Sequence, residues 1–226
     1  MQDLLLLHGA IGSKDQFAAL TEKLKGHFNI HTLNFSGHGD ANMSGSFSIA
    51  AFADKVLEYI HSKDIQTIDI FGYSMGGFVA LYLAKRHPEK IGKIFTLATK
   101  FLWTPEIAQR EIRMLDAAKI AEKIPAFANE LEKRHNTDWK IVLQKTADMM
   151  VGLGENNPLQ TEDYKVIGNP VRIAIGDKDM MVTLEETIAV YRDLPNATFA
   201  VFPNTQHPIE KVDVERLAGE ICSFFD

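Results

Sequence analysis

Gly72-Tyr73-Ser74-Met75-Gly76 has the form G-x-S-x-G and stands between an apolar run and a helix-patterned one. In that context the pattern is a nucleophile elbow, a strand-to-helix turn that exposes a serine hydroxyl. The turn is so tight that side chains two residues to either side of the serine would strike the neighbouring strand or helix. Gly72 and Gly76 remove those side chains, and Gly77 adds room for close packing. Ser74 Oγ then projects at the start of a helix, whose first N–H groups favour developing negative charge. A serine hydroxyl is a weak nucleophile until a base accepts its proton, so a histidine is required. The elbow arrangement runs serine, acid, histidine along the chain. Of eight histidines, His87, His135 and His207 follow Ser74. Only His207 lies beyond a late strand-like run, in FPNTQHPIE, where Pro203, Asn204 and Pro208 mark a loop able to present a side chain to a cleft. His87 and His135 read as surface residues near helix ends. His8 and His38 occupy loops after strands, placed to line the site but ahead of the serine.

The acid is expected at the C-terminal edge of the sheet between these two residues. After IFTLA no carboxylate occurs until Glu106, whereas VRIAI is followed at once by GDKDMMV. Asp177 directly follows the turn glycine and is expected to shape that turn through its own backbone. Asp179 lies further out, where a carboxylate can reach back to His207 Nδ1–H, fix its tautomer and stabilise the imidazolium. A tetrahedral intermediate also needs oxyanion donors. One is the backbone N–H of Met75, and the second is the Ala10 N–H in the loop His8-Gly9-Ala10-Ile11-Gly12.

Positioning these groups requires a particular alternation of elements. Short apolar runs at 4–7, 30–35, 67–71, 93–98, 171–175 and 198–202 alternate with helix-period stretches, the pattern of a parallel sheet with crossover helices. Runs so nearly all apolar are expected to be covered on both faces. Phe17, Leu20 and Leu24 recur at helical spacing, with Gly26 as a left-handed stop. Ser48 caps a helix burying Ile49, Phe52, Val56 and Ile60, and Thr183 with Glu186 forms a capping box. The last helix is expected to bury Val214, Leu217, Ile221 and Phe224. Residues 104–165 break the alternation: they carry helical patterns, divided at Pro125, and no strand. An insertion of that size is expected to be a helical cap over one end of the sheet, within a single domain spanning 1–226.

Composition limits the partners. The 226 residues carry 24 basic and 30 acidic side chains, a net charge of −6, and 46% hydrophobic residues, so the chain reads as a globular domain of ordinary size. Without a dense Lys/Arg run, nucleic acid and anionic membrane are poor partners. MQDLLLLHG lacks a basic leader, and its apolar stretch is too short for a membrane span, giving a cytoplasmic expectation. The lone cysteine, Cys222, reads as a small buried apolar residue. No H-E-x-x-H, P-loop or dinucleotide fingerprint occurs, so no metal or organic cofactor is expected.

With LLLLHGAIGS, NFSGHGDA, DIFGYSMGGFVALYLA, AIGDKDMMV and the QHP stretch together, the chain resembles the α/β-hydrolase superfamily over its whole length except the cap. The resemblance implies an α/β fold with a mostly parallel sheet of about six strands, helices on both faces and a helical cap. It also implies an acid three residues past the glycine after the seventh family strand, which supports Asp179, and oxyanion donors at Ala10 and Met75. The family's usual opening hairpin is missing, since the HG pair arrives at residue 8, so a shortened member is implied. Asn34 replaces the commoner aspartate of D-x-P-G-H-G. A serine at the elbow argues against the haloalkane dehalogenase and epoxide hydrolase branches. In size and cap the chain is similar to the menaquinone-pathway enzyme that eliminates pyruvate, but Phe78 stands where that enzyme has an arginine, which counts against a polyanionic substrate. It also resembles the pimeloyl-carrier methyl esterases, though no local stretch selects that branch. The expected function is therefore a serine hydrolase cleaving a carboxylic ester or thioester of a small to medium acyl substrate through an acyl-enzyme. Trp103, Phe101 and Met114 are candidate walls of an apolar acyl pocket. The alternatives are a lyase or carbon–carbon hydrolase using the same triad, and a non-catalytic binding protein. Oligomeric state is not encoded in any motif.

Overall fold

The computed structural model describes all 226 residues. Six parallel strands form one sheet in the order β2-β1-β3-β4-β5-β6, with β1 Gln2–Leu7, β2 Phe28–Thr32, β3 Ile68–Tyr73, β4 Ile91–Leu97, β5 Val171–Gly176 and β6 Ala197–Phe202. The chain runs outward from β1 to β2, then returns to β3 on the other side of β1. That reversal makes the C-terminal ends of β1 and β3 the switch point of the sheet, where adjoining loops part and leave a crevice. The elbow serine follows β3, and the His8–Gly12 loop follows β1.

Helices cover both faces. One face packs α1 (Ala18–Leu24) and α10 (Val214–Phe225), so Leu20, Leu24, Leu217 and Ile221 meet Leu4, Leu6, Phe71 and Phe95. The other packs α2 (Ile49–Ser62), α3 (Met75–Arg86) and α9 (Leu184–Asp193) against Leu5, Leu7, Ile70 and Ile173. Odd and even residues of β1 thus enter different cores, the strand period of two at work. The caps form as the sequence implies. Ser48 Oγ accepts the Ala51 N–H at 3.1 Å, while Thr183 Oγ1 accepts Glu186 N–H and Glu186 Oε2 accepts Thr183 N–H, each at 3.2 Å.

Several expectations are corrected. Only the inner strands are covered on both faces; β2 and β6 are the sheet edges, and most of their residues are half-buried or exposed. Apolar content alone does not distinguish an edge from a centre. Gly26 is not left-handed, since α1 gives way at Lys25 in a right-handed turn and a Cβ on Gly26 would meet nothing. Val214 and Phe224 of α10 are only partly buried, and Phe225 fills the core in their place. Cys222 is half-buried, and burial pushes its thiol pKa up.

Between β4 and β5 the chain forms only helices: α4 (Pro105–Glu111), α5 (Ala117–Lys123), α6 (Pro125–Arg134), α7 (Trp139–Glu155) and α8 (Thr161–Tyr164). They enclose a small core of their own, Ile120, Ala128, Leu131, Trp139 and Leu143. Met149 and Leu153 of α7 join the main core, which ties the insertion to the sheet. No helix is long and apolar enough to cross a membrane.

Candidate active site

Ser74 is the single residue between β3 and α3, and its backbone sits at φ 50°, ψ −117°. For a residue with a Cβ that conformation is strained, at a cost of about 1–3 kcal/mol. It persists because the backbone is fixed from both sides: Ser74 N–H donates to Leu97 O at 2.8 Å, while Ser74 O accepts from Gly77 N–H and from the Thr99 hydroxyl, each at 3.0 Å. The glycines have individual reasons. A Cβ on Gly72 would lie 2.5 Å from Gly77 Cα, one on Gly76 would strike the Leu7 carbonyl, and one on Gly77 would strike Thr99 Oγ1. Because the obstacle at Gly76 is backbone of the inner strand β1, Gly76→Ala is expected to destabilise by roughly 3 kcal/mol, an overpacking cost. A lowered urea midpoint with an unchanged slope would register it.

The three side chains separated along the sequence converge here. Ser74 Oγ lies 3.4 Å from His207 Nε2, and His207 Nδ1 lies 2.8 Å from Asp179 Oδ2. The Asp179 side chain is 1% exposed, and its other oxygen accepts the backbone N–H groups of Met181 (2.8 Å) and Val182 (2.9 Å). A carboxylate so placed keeps the neutral imidazole proton on Nδ1, which leaves the Nε2 lone pair facing the hydroxyl. His207 is anchored through its own backbone, whose carbonyl accepts the Tyr73 hydroxyl at 3.0 Å. Burial pushes the Tyr73 phenol well above its ordinary pKa, so it remains a donor. Asp177 stands apart and exposed. Its Oδ1 accepts the Thr205 N–H at 3.1 Å, and backbone donors from Asn204 and Thr205, with its own backbone N–H, hold its carboxyl below the usual range. Asp177 therefore braces the loop that carries His207.

Ala10 and Met75 line the same cavity as Ser74 and His207. Met75 is the first residue of α3, and N–H groups in a first turn have no intrahelical acceptor. The loop after β1 presses on the elbow, since a Cβ on Gly9 would lie 2.8 Å from a Tyr73 ring carbon and 3.1 Å from Ser74 Cβ. Both residues thus border the cavity beside the serine. The arrangement places a hydroxyl and an imidazole bonded to a buried carboxylate beside one cavity, with Ala10 and Met75 in its lining.

Residues 4–119, just over half of the chain, match the family described as alpha/beta hydrolase fold. The chain belongs to the α/β-hydrolase family. It is 30% identical over 148 residues to the pimeloyl-[acyl-carrier protein] methyl ester esterase of Neisseria meningitidis serogroup C, an alignment covering 66% of this chain and 56% of that protein. The corresponding serogroup B protein is matched equally, at 30% identity. The chain spans about half the length of the curated relatives it matches. Among solved structures, a thermophilic esterase from Thermogutta terrifontis superposes with a TM-score of 0.80 at 22% identity, covering 100% of this chain and 89% of that one. The enol-lactonase from Burkholderia xenovorans LB400 also gives 0.80, at 17% identity over 99% and 91% of the two chains. These likenesses show the fold.

As an α/β-hydrolase the chain places three other histidines differently from their sequence reading. His135 is buried at the end of α6, where Nδ1 accepts the Gly39 N–H (2.9 Å) and Nε2–H donates to Ile11 O (3.0 Å). Arg134 Nη1 donates to the same carbonyl at 3.2 Å, so the end of α6 grips the loop that carries Ala10. His8 and His38 are fully buried and pack on one another, with ring centroids 5.1 Å apart, and neither lines the cavity. Burial pushes His8 well below the ordinary histidine value, and pushes His38 and His135 down to about 4. These groups are neutral in the folded state, while an unfolded chain binds their protons near pH 6.5. The folded state is therefore fully favoured above about pH 6.5 and loses stability as the pH falls toward 4. Urea midpoints are expected to be level from pH 8 to 7 and to drop steadily from pH 6 to 4.5.

The cavity has an empty volume of about 490 Å³, mouth included. Of the proposed apolar walls, Trp103 lines it, Phe101 instead packs against Tyr164, and Met114 is 52% exposed. Ile49, Phe78, Met149, Met150, Leu153, Met181 and Val182 supply apolar lining that sequence reasoning did not place there. No local signal marks α7 residues as cavity-facing, because the helix buries other apolar residues in the two cores. Lys100 and Glu111 were missed as well, since buried charges look like surface charges in a sequence.

Proposed function

We propose that the chain is a serine hydrolase that cleaves a carboxylic ester or thioester of a small to medium acyl substrate, with Ser74, His207 and Asp179 as its triad. The reading is carried by the continuous chain from Ser74 Oγ to His207 (3.4 Å) and on to the buried Asp179 (2.8 Å), at the floor of a mostly apolar cavity. His207 Nε2 takes the proton as Ser74 Oγ attacks the carbonyl carbon. The Ala10 and Met75 N–H groups receive the oxyanion, and the alcohol or thiol leaves with the proton from His207. Water then repeats the sequence on the acyl-serine and releases the acid. The methyl ester esterase name of the matched Neisseria proteins supports an ester as substrate. Residues 104–165 serve as the cap: α7 closes the cavity from above, and its methionines adapt to acyl chains of different shape.

Stopped-flow release of p-nitrophenol from p-nitrophenyl butyrate tests the reading. A burst approaching about one equivalent per chain is expected, followed by slower turnover. Release no faster than that given by Ser74→Ala protein would contradict it.

A further inference from the structure

We infer that the cavity contains a built polar subsite, formed by Lys100 and Glu111, that selects acyl groups bearing an uncharged hydroxyl. The inference rests on the proposed ester hydrolysis and specifies its substrate class. Both side chains line the cavity with Ser74, and both are at least nine-tenths buried, at 9% and 5% exposure. Charges stripped of water need partners. Lys100 Nζ donates to Met181 O at 2.9 Å, and its carboxylate neighbours, Glu186 Oε2 at 3.6 Å and Glu111 Oε1 at 3.8 Å, are too far to be hydrogen-bonded. Two of its three N–H donors therefore have no hydrogen-bond acceptor, the Trp103 ring centroid lying 6.0 Å from Nζ. Glu186 is saturated by the N–H groups of Phe101, Leu102 and Thr183 and by the Thr183 hydroxyl. In Glu111, Oε1 accepts twice from Arg110, at 3.0 and 3.3 Å, and Oε2 has no partner. Apart from Ser74 and His207, the rest of the lining is apolar, so Lys100 with its free donors and Glu111 with its free acceptor are the remaining polar residues of the cavity.

The charge balance defines the ligand. Lys100 and Arg110 offset Glu111 and Glu186, so the cluster is neutral and offers no net attraction to a carboxylate or an ammonium group. A hydroxyl both accepts from Lys100 and donates to Glu111. A plain alkyl end would close the cavity over unpaired charged groups, an arrangement that discriminates strongly against an analogue lacking the polar group.

The test is a series of methyl esters with acyl chains of increasing length, ending in methyl, hydroxyl or carboxylate, followed by acid release in a pH-stat. At the preferred length the hydroxyl ester is expected to exceed its methyl-ended partner in kcat/KM by about 10- to 100-fold, and the carboxylate ester to fall below the hydroxyl ester. In Lys100→Met the hydroxyl-to-methyl ratio is expected to fall toward one. Glu111→Gln provides the same readout should Lys100→Met not fold, and the wild-type series is decisive without either. Methyl-ended esters cleaved as well as hydroxyl esters at every length would overturn the subsite alone. Fluorophosphonate labelling of Ser74 with no hydrolysis of any member would also overturn it. An absence of both labelling and hydrolysis would remove the serine-hydrolase reading with it.

Discussion

Ser74→Ala is expected to lower kcat/KM for ester hydrolysis by about 10⁴- to 10⁶-fold, while the protein folds as before. The magnitude follows from losing the group proposed to form the covalent intermediate, with the proposed oxyanion donors and the cavity left to provide a residual rate. Folding is spared because the elbow is held by the Ser74 backbone, through Leu97 O, Gly77 N–H and the Thr99 hydroxyl. The side chain contributes a single hydrogen bond, to His207 at 3.4 Å. Ser74→Gly separates the two effects further. It should be as inactive, yet more stable by about 1 kcal/mol, because glycine relaxes the strained φ of 50° against its own larger entropy in the unfolded chain. Steady-state kinetics and urea denaturation on the two variants distinguish a strained nucleophile from a structural turn serine.

Asp179→Asn is expected to cost about 10⁴ in kcat with little change in KM. Asparagine is isosteric, and its carbonyl can still accept the Met181 and Val182 N–H groups that fix Asp179 Oδ1. That leaves the amide NH₂ facing His207 Nδ1, where the carboxylate oxygen sits at 2.8 Å. An NH₂ there donates, so Nδ1 must become the acceptor and Nε2 must carry the proton. Nε2 can then no longer take the proton from Ser74, and no carboxylate remains to stabilise the imidazolium. Asp177→Asn provides the contrast. Asp177 is exposed and bonded to the Thr205 backbone, so the activity loss should be within about tenfold. Equal losses in the two variants would mean that the carboxylate at 179 has no special relation to His207.

The elements were legible to different degrees for physical reasons. The alternation of short apolar runs with helical periods fixed the order of strands and helices, and Ser48, Thr183 and Glu186 marked helix starts by local hydrogen bonds that need nothing from the rest of the chain. The glycines around Ser74 were legible because their constraint is backbone against backbone, with Gly72 against Gly77 and Gly76 against Leu7. Long-range packing was not. Nothing in the neighbours of His135 says that it bridges Gly39 and Ile11, almost a hundred residues or more away in the chain. His8 and His38 sit in loops, yet the crossing of two loops at the sheet edge buries them completely. Lys100 lies within a run of mixed polarity and gains its environment from Glu111 of nearby α4 together with Glu186 of α9, which is distant in sequence. Sheet edges escaped for a similar reason: β6 is apolar enough to be central and becomes an edge only because no further strand pairs with it.

The most direct measurement of the central claim is intact-protein and peptide mass spectrometry after reaction with a fluorophosphonate. The expected result is one adduct per chain, on Ser74, absent in Ser74→Ala and strongly slowed in His207→Ala. A folded protein left unmodified, or an adduct on another residue with Ser74 untouched, would contradict it.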